Sequence, residues 1–347
     1  MKKGLATVAQ HTEFDQIIDA RTPAEFAEDH LPGAINLPVL DNEQRIIVGT
    51  TYKQRSAFEA RRIGGTMVLD NISRHLAGHL ADKPKNWRPL VYCWRGGMRS
   101  GAFVTWLRMV GWDAHQLAGG YKSWRRMVIA ELETLPARLR FRVLSGPTGS
   151  AKTRVLEALA RRGAQVLDLE DLAAHRGSVL GALPGRPQPT QKSFETALFA
   201  ALQGFDPARP VFVEAESRKI GVVHLPEALI AQVRTSPCVA IAASRSARLD
   251  FLLRDYAWLG DDPAGLQASL ARLKGLQSNE TLERWHDWAG RGALAELFGE
   301  LIDLHYDPHY RRSQGQHYAR LEAAQRLETD RLDKAGIERL ADAILAA

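Results

Sequence analysis

The chain has 347 residues, of which 45% are hydrophobic and 25% charged, a balance typical of globular proteins and unlike that of disordered or fibrous ones. No run approaches the roughly 20 apolar residues that cross a bilayer, so we expect no membrane partner, and two cysteines cannot form a disulfide framework. The first residues carry two lysines but no sustained apolar segment, so the sequence predicts a cytoplasmic protein without a signal peptide.

The positive charge is unevenly distributed along the chain. Residues 1–130 contain 18 Lys and Arg against 12 Asp and Glu, whereas residues 131–347 contain 28 of each. A solvated basic surface explains this excess as well as a docking face for a polyanion does.

The first third of the chain alternates short apolar strands with helices. Such alternation predicts a mainly parallel sheet whose functional site lies at the carboxyl ends of its strands. Strands are predicted over residues 14–20, 35–37, 89–93 and 111–117, and helices over 23–29, 100–110 and one that runs through Trp124.

A second α/β pattern follows a linker expected over residues 134–137, which predicts domains of 1–134 and 135–347. From about residue 249 onward the pattern is mostly helical. The other predicted elements of this half are strands over 140–145 and 211–214, loops over 146–153 and 176–192, and a helix over 154–162.

Cys93 ends a predicted strand and opens a loop that leads into a helix. A tight glycine-rich loop turns several N–H groups toward one point, a helix N-terminus adds partial positive charge, and arginines add full charges, so a thiolate is favoured there. The alternative, a buried structural cysteine, predicts apolar neighbours, and Cys238 in an apolar strand fits that alternative. The residues predicted to surround the Cys93 sulfur are Trp94, Arg95, Gly96, Gly97, Met98 and Arg99.

Four motifs in this order resemble a rhodanese domain over residues 10–130: residues 19–26, residues 30–38, the Cys93 loop and residues 117–124. The resemblance implies a transferable chalcogen on the cysteine. The spacing from Cys93 to Arg99 also resembles that of cysteine phosphatases, some of which share this fold. Those usually have histidine directly before the cysteine, where this chain has Tyr92.

A phosphate-binding loop of the Walker A type is predicted between a strand and a helix. Its N–H groups would hold phosphate oxygens, Lys152 would add a point charge, and Thr153 would ligate Mg²⁺; the alternative is a glycine-rich helix-capping turn. Ala151 replaces the glycine before the lysine, which we expect to be tolerated if its φ angle is negative. The predicted phosphate-binding residues are Gly146, Thr148, Gly149, Ser150, Ala151, Lys152 and Thr153.

Acidic residues follow two other strands of this second pattern. Glu214 and Glu216 are candidates to orient Mg²⁺ or a water, and Arg218 is a candidate to meet an anion, although surface ion pairs would give the same pattern. Asp168 and Asp171 are either ligand contacts or a helix cap. No metal site is firmly assigned from these residues.

The whole chain resembles the tRNA 2-selenouridine synthase family, in which a rhodanese domain is fused to a P-loop domain. The segments that carry the resemblance are residues 48–56, the Cys93 loop and residues 188–195, 214–221 and 305–310. It implies a rhodanese-like parallel-sheet domain followed by a P-loop NTPase-like α/β domain with a helical C-terminal part. It also implies a transferase that geranylates wobble 2-thiouridine of tRNA with geranyl diphosphate and exchanges the sulfur for selenium from selenophosphate, giving 2-selenouridine.

The resemblance also implies roles for single residues and partners. Selenium would arrive directly from selenophosphate or through an adduct on Cys93, and Lys152 with Thr153 would hold the diphosphate of the geranyl donor. The basic first third would bind tRNA, with an enzyme that supplies selenophosphate as a further partner. Trp94 would either stack on an unpaired base or pack beneath its loop. No tightly bound cofactor is expected, and Mg²⁺ stays open.

Two other function classes fit the same sequence. One is a P-loop nucleotide hydrolase or kinase with the rhodanese domain as a sulfur-relay module. The other is a regulatory binding protein in which Cys93 senses redox state.

Overall fold

The computed structural model describes residues 4–318 and 320–346, and for residues 313–317 it describes the backbone only. The chain divides into two compact units, Met1–Glu131 and Leu132–Ala347. None of the helices in the described part is long and apolar enough to cross a bilayer.

The first unit contains five strands and five helices, together with a short 3-10 helix at Val8–Glu13. The strands are β1 (Leu5–Ala6), β2 (Gln16–Asp19), β3 (Ala34–Asn36), β4 (Pro89–Tyr92) and β5 (His115–Leu117). The helices are α1 (Pro23–Glu28), α2 (Asn42–Gln54), α3 (Ala57–Ala77), α4 (Met98–Val110) and α5 (Gly120–Thr134), the last of which extends three residues past the unit boundary.

These strands form one parallel sheet in the order β1-β5-β4-β2-β3. All four residues of β4 are buried, as expected of a central strand with helices on both faces. Ile18, Val91 and Phe103 belong to the core that packs there. Asp19 pairs in register with Tyr92, so Cys93 emerges at the carboxyl edge of the sheet beside the end of β2.

The second unit contains seven strands, and its helices include a long series near the C-terminus. The strands are β6 (Arg140–Ser145), β7 (Gln165–Leu167), β8 (Pro210–Glu214), β9 (Lys219–Ile220), β10 (Val223–His224), β11 (Cys238–Ala243) and β12 (Gln325–Thr329). The helices are α6 (Lys152–Arg161), α7 (Leu169–Leu172), α8 (Gln191–Gln203), α9 (Glu227–Thr235), α10 (Arg245–Asp255), α11 (Pro263–Leu270), α12 (Asn279–Arg291), α13 (Leu294–Glu300), a π-helix at Leu301–Tyr306, α14 (Asp307–His317) and α15 (Lys334–Leu345). Short 3-10 helices lie at Pro136–Arg138, Ala257–Asp261 and Ala271–Leu273.

Five of these strands form a second parallel sheet in the order β12-β11-β6-β8-β7, and β9 with β10 forms a separate antiparallel pair. Val155 and Leu159 of the amphipathic helix α6 pack on this sheet with Phe212 and Ile241. A second apolar cluster around Trp285, Leu297 and other residues holds the C-terminal helices together.

The predicted α/β fold class with two parallel-sheet domains is confirmed. The expectation that the chain is mostly helical beyond residue 249 missed one strand, β12. That strand lies at the edge of the sheet, and its sequence Gln-Arg-Leu-Glu-Thr has one large apolar residue. Because no apolar run marks it, the sequence pattern cannot distinguish it from a loop.

Candidate active site

Cys93 lies where β4 ends, with only 3% of its surface exposed. The backbone N–H of Gly97 donates to its Sγ at 3.3 Å, and the Ser100 hydroxyl donates to the same sulfur at 3.1 Å. Gln116 Nε2 donates to Ser100 Oγ at 2.9 Å, which orients the hydroxyl toward the sulfur. Two directed donors on one sulfur suit a thiolate, as the loop sequence predicts.

Close backbone contacts hold this loop against the start of α5. Gly96 and Gly120 have φ angles of +64° and +58°, in the left-handed region that favours glycine. A methyl group on Gly120 would lie 2.2 Å from the Cys93 carbonyl oxygen. The N–H of Tyr121 donates to that same oxygen at 2.8 Å, so the adjacent glycines form part of the cysteine site.

The arginines of the loop do not act alike. Arg95 is exposed, whereas Arg99 is paired with Glu25 at 2.7 Å and is mostly buried. This pairing holds the pKa of the Glu25 carboxyl below its ordinary value, although burial of the carboxyl opposes the effect. Arg99 therefore already has a carboxylate partner, unlike an arginine kept free for a substrate phosphate.

An open concavity of about 490 Å³ lies over the sulfur. Arg45 of α2 lines it together with Arg95, Arg99 and the exposed Met98. Trp94 is half-buried, and its ring centroid lies 5.4 Å from that of Tyr121. The Trp94 ring therefore contacts Tyr121, and the residue also lines the concavity.

A buried charged network supports the loop from below. Arg21 donates to Asp19 from Nη2 at 2.6 Å, and the Tyr92 hydroxyl donates to Asp19 at 2.7 Å. The guanidinium of Arg21 also lies 3.9 Å from the ring centroid of Tyr121. Burial raises the pKa of Tyr92, with the Asp19 carboxylate adding to the effect, so this residue remains a neutral hydrogen-bond donor.

The predicted phosphate-binding loop over residues 146–153, called the phosphate-type loop from here on, joins β6 to α6, as the sequence predicts. Lys152 begins α6, and its Nζ donates back to the Gly146 carbonyl at 2.8 Å. We expected Ala151 to be tolerated if its φ angle is negative, and this condition is not met, because its φ is +58°. That left-handed conformation costs a non-glycine residue about 1–2 kcal/mol. Ala151 nevertheless packs in the core with 4% of its surface exposed.

Carboxylates crowd the start of α6. Thr153 Oγ1 donates to Glu170 Oε2 at 2.8 Å, and the N–H of Glu170 donates to Glu214 Oε1 at 2.9 Å. Burial, with the Glu170 carboxylate adding to it, raises the pKa of Glu216 to about 8. Burial also raises the pKa of Glu214 well above its usual range. Glu214 and Glu216 are therefore mostly protonated at neutral pH.

The loop forms one wall of a pocket of about 300 Å³, and the opposite wall is aromatic. The π-helix and α14 bring His305, Tyr306 and Tyr310 to this pocket, which explains the run of histidines and tyrosines in the sequence. Burial, with a smaller effect of His309, lowers the pKa of His305 to about 4, so its ring is neutral. Tyr256 of the C-terminal cluster completes the wall.

Arg248 links the phosphate-type loop to the start of α14. Its Nε donates to the Thr148 carbonyl at 2.9 Å, while Nη2 pairs with Asp307 at 2.6 Å. The side chain is 5% exposed, so this ion pair is shielded from solvent. Arg248 therefore fixes the loop relative to the helix that supplies Tyr310.

Several other predicted residues have contacts away from this pocket. Asp168 caps α7 by accepting from the N–H of Asp171 at 2.8 Å, which is the helix-cap alternative. Arg218 forms an exposed ion pair with Glu227 and does not line the pocket.

The oxygen donors near Thr153 bear on the predicted Mg²⁺ contacts. Within residues 4–318 and 320–346, no group of three or more His, Cys, Asp or Glu side chains is arranged to hold a metal ion. Mg²⁺ bound with phosphates uses only one or two carboxylates. Thr153 and Glu170, 2.8 Å apart, are the oxygen pair that fits that requirement.

Sequence reasoning missed the residues that reach these sites from distant segments. Gln116 and Arg45 approach the cysteine, and Glu170 and Arg248 approach the phosphate-type loop. Their residue types carry no motif of their own. Ser100, which donates to the Cys93 sulfur, directly follows Arg99, so its place in the loop could have identified it from the sequence.

Two family models match the chain. The rhodanese-like domain model matches residues 5–127, and the model described as the tRNA 2-selenouridine synthase AAA domain matches residues 139–264. These ranges contain the cysteine loop and the phosphate-type loop, respectively.

Proteins of known name resemble the chain across both units. A tRNA 2-selenouridine synthase from Nitrosomonas europaea is 38% identical over 244 residues, which is 69% of this chain and 63% of that protein. One from Alcanivorax borkumensis is 41% identical over 243 residues, or 69% of this chain and 66% of that protein. One from Aeromonas salmonicida is 37% identical over 249 residues, or 70% and 66%. The matches thus span slightly less than two thirds of the length of these relatives. With its rhodanese-like unit preceding its P-loop unit, the chain belongs to the tRNA 2-selenouridine synthase family.

Proposed function

We propose that the protein is a tRNA-modifying transferase that replaces the sulfur of wobble 2-thiouridine with selenium. The observation that carries this proposal is the Cys93 sulfur, held by the Gly97 N–H and the Ser100 hydroxyl beneath an open, arginine-lined concavity. Such a site suits a chalcogen anion, and the named relatives are tRNA 2-selenouridine synthases.

The first step we propose is alkylation of the tRNA sulfur by geranyl diphosphate. The sulfur attacks C1 of the geranyl group, a C–S bond forms, and diphosphate leaves with the electrons of the C–O bond. Lys152 and the loop N–H groups stabilise the departing diphosphate. Tyr256 and Tyr306 on the facing wall offer an aromatic surface for the isoprenoid chain. Mg²⁺ held by Thr153 and Glu170 would neutralise diphosphate charge.

In the second step we propose, selenium displaces the alkylated sulfur at C2, and geranyl thiol is the leaving group. An alkylated sulfur leaves as a thiol, which is easier than expelling sulfide from a thiocarbonyl. In the direct route, selenium of selenophosphate attacks C2, and water then cleaves the P–Se bond to give phosphate.

In the route through Cys93, a selenylsulfide forms on the thiolate before transfer. Cys93 first attacks an external disulfide, selenium of selenophosphate then displaces the thiolate from the Cys93 sulfur, and water removes the phosphate. The terminal selenium attacks C2, geranyl thiol leaves, and two thiols cleave the S–Se bond and so return the two electrons that the disulfide accepted. Dependence on added thiol therefore separates this route from the direct one. We favour the Cys93 route because its sulfur has the directed donors of a reactive thiolate.

A P-loop nucleotide hydrolase or kinase with a sulfur-relay domain is the second candidate. The Walker A geometry and the Thr153–Glu170 oxygen pair favour it, since both are compatible with Mg²⁺ and a nucleotide. It predicts turnover of ATP or GTP by the purified protein without tRNA.

Nucleoside mass spectrometry tests the proposed function. A tRNA that contains 2-thiouridine is incubated with the protein, a disulfide and a thiol, and with geranyl diphosphate and selenophosphate, separately and together. We expect a geranyl adduct with the first donor and 2-selenouridine when both are present. An unchanged tRNA under every condition, together with nucleotide turnover, would favour the second candidate.

A further inference from the structure

The helical hairpin of α2 and α3 is poorly covered by the rest of the protein. None of the 13 residues of α2 is buried, and among the 21 residues of α3 only Ala60, Gly64 and Ile72 are. The two helices touch where Gly64 faces Val48, since a methyl on Gly64 would lie 3.1 Å from that side chain. An isolated helix of this length is marginal in water, so contacts with a partner would stabilise α2.

Large side chains on this hairpin face solvent. Tyr52 is 60% exposed and Phe58 is 76% exposed, on either side of the turn between the helices. Ile46 is 68% exposed on α2. Single exposed apolar residues are ordinary, but five on one poorly covered hairpin, with Ile47 and Leu69 as the other two, indicate a binding surface.

The charge of the hairpin identifies the kind of partner. Between residues 53 and 62 it carries Lys53, Arg55, Arg61 and Arg62, all exposed, and Glu59 is the acidic residue in that stretch. Arg55 lies 3.6 Å from Glu59, and such an exposed pair contributes little to stability. Lys53, Arg61 and Arg62 are not part of this pair. Cations interleaved with exposed aromatic rings are typical of surfaces that bind unpaired nucleic acid, since phosphates meet the cations and bases stack on the rings.

The position of α2 connects this surface to the cysteine. Arg45, near the start of α2, lines the concavity over Cys93. Tyr52 is seven residues further on and therefore on the same face of the helix, about 10 Å along its axis. An RNA loop that follows this face would bring one unpaired base near the concavity while its neighbours contact Tyr52.

We propose that the α2–α3 hairpin docks the unpaired loop of an RNA, with Tyr52 and Phe58 as stacking platforms and Lys53, Arg61 and Arg62 as phosphate contacts. This docking proposal rests on the proposed function, because the hairpin would bring the substrate of that reaction to Cys93. These three cations are part of the positive excess in residues 1–130.

Fluorescence anisotropy of a labelled, unmodified RNA stem-loop tests the proposal with the full-length protein and no selenium or geranyl donor. We expect Tyr52→Ala with Phe58→Ala to weaken binding at least about tenfold. Arg61→Ala with Arg62→Ala should weaken it similarly and reduce the slope of log K against log salt by about 1.4. The matched control, Lys83→Ala with Lys85→Ala in the same unit, should bind as the wild type does. The affinity for a blunt duplex without a loop should not change in the variant with Tyr52→Ala and Phe58→Ala.

Several outcomes would overturn the proposal. Unchanged stem-loop affinity in both hairpin variants, with circular dichroism like that of the wild type, would place RNA elsewhere. A dimer in sedimentation that Tyr52→Ala with Phe58→Ala abolishes, without a change in RNA affinity, would assign the hairpin to self-association. Since the assay contains no transfer step, the docking surface can fail while 2-selenouridine still forms. Conversely, RNA binding without any nucleoside change would contradict only the proposed function.

Discussion

The cysteine loop and the phosphate-type loop have the same position in their sheets but opposite surroundings. Each follows the buried carboxyl end of a central parallel strand and precedes a helix, α4 or α6. At the first, Cys93 sulfur already occupies the centre and receives two donors. At the second, Lys152 is bonded to the loop's own Gly146 carbonyl and carboxylates stand nearby.

This difference indicates how the two sites bind anions. The cysteine loop directs two donors at a sulfur that belongs to the protein, so it is organised before any substrate arrives. In the phosphate-type loop Lys152 donates to the Gly146 carbonyl, and in the proposed reaction the incoming diphosphate would have to displace that hydrogen bond. The raised pKa of Glu216 lowers the electrostatic cost of bringing that anion in.

The largest effect is expected at the phosphate-type loop. Lys152→Ala should reduce geranyl transfer by roughly 100-fold, because it removes a positive charge aimed at the departing diphosphate. Geranyl-tRNA formation followed by mass spectrometry measures this. Lys219→Ala, an exposed lysine on β9 in the same unit, is the control and should transfer at the wild-type rate. Equal geranyl diphosphate affinity in wild type and Lys152→Ala would place the donor elsewhere.

At the cysteine loop, Ser100→Ala should slow alkylation of Cys93 by iodoacetamide at neutral pH about tenfold. The variant removes one of two donors to the sulfur, and a hydrogen bond to a charged group contributes about 1.5–3 kcal/mol. Thr105→Ala on the same helix serves as control, because its hydroxyl donates to the Gly101 carbonyl. Selenation should fall in parallel with alkylation. An unaltered alkylation rate would show that the hydroxyl does not stabilise the thiolate.

A smaller effect is expected from pH. Below a pKa of about 8 Glu216 is mostly protonated and uncharged, and above it the carboxylate repels diphosphate and competes for Lys152. Geranyl diphosphate affinity in the wild type should therefore fall several-fold between pH 7 and pH 9, whereas Glu216→Gln should show a flat profile. Isothermal titration measures both. Glu157 is a partly exposed residue of α6, and Glu157→Gln should keep the wild-type dependence of affinity on pH. If the affinity of Glu216→Gln still falls with rising pH, Glu216 is not the group responsible.

The smallest effect is expected at Ala151. Ala151→Gly relieves about 1 kcal/mol of left-handed strain but removes a buried methyl group of about 0.8 kcal/mol, so the melting temperature should hardly change. Ala151→Val should lower it clearly, because a β-branched residue fits that conformation poorly. Thermal melts followed by circular dichroism compare the two. A large loss of stability in Ala151→Gly would mean that packing outweighs strain.

The parts of both sites that are contiguous in sequence were predictable, and the rest were not. Cys93 and Lys152 lie in short loops whose glycines and flanking elements mark them. Gln116 and Arg248 reach the loops only through tertiary folding, so no local spacing signals them. The φ angle of Ala151, +58°, could not be read from the sequence, because the conformation of the loop sets it and not the alanine side chain.

The fold shows the same division. β4 and β6 are apolar and buried, and the sequence predicted both of them. The edge strand β12 is mostly polar, because an edge strand needs less burial than a central one. Its backbone pairing with β11 makes it a strand, and this long-range pairing leaves no mark in its local sequence.

We propose that the cysteine loop delivers selenium and the phosphate-type loop delivers the geranyl group. Nucleoside mass spectrometry on the Cys93→Ser variant, with 2-thiouridine tRNA, both donors, a disulfide and a thiol, tests this proposal most directly. We expect the S-geranyl nucleoside to accumulate and 2-selenouridine not to form. Undiminished 2-selenouridine in Cys93→Ser would contradict it and leave only direct delivery from selenophosphate.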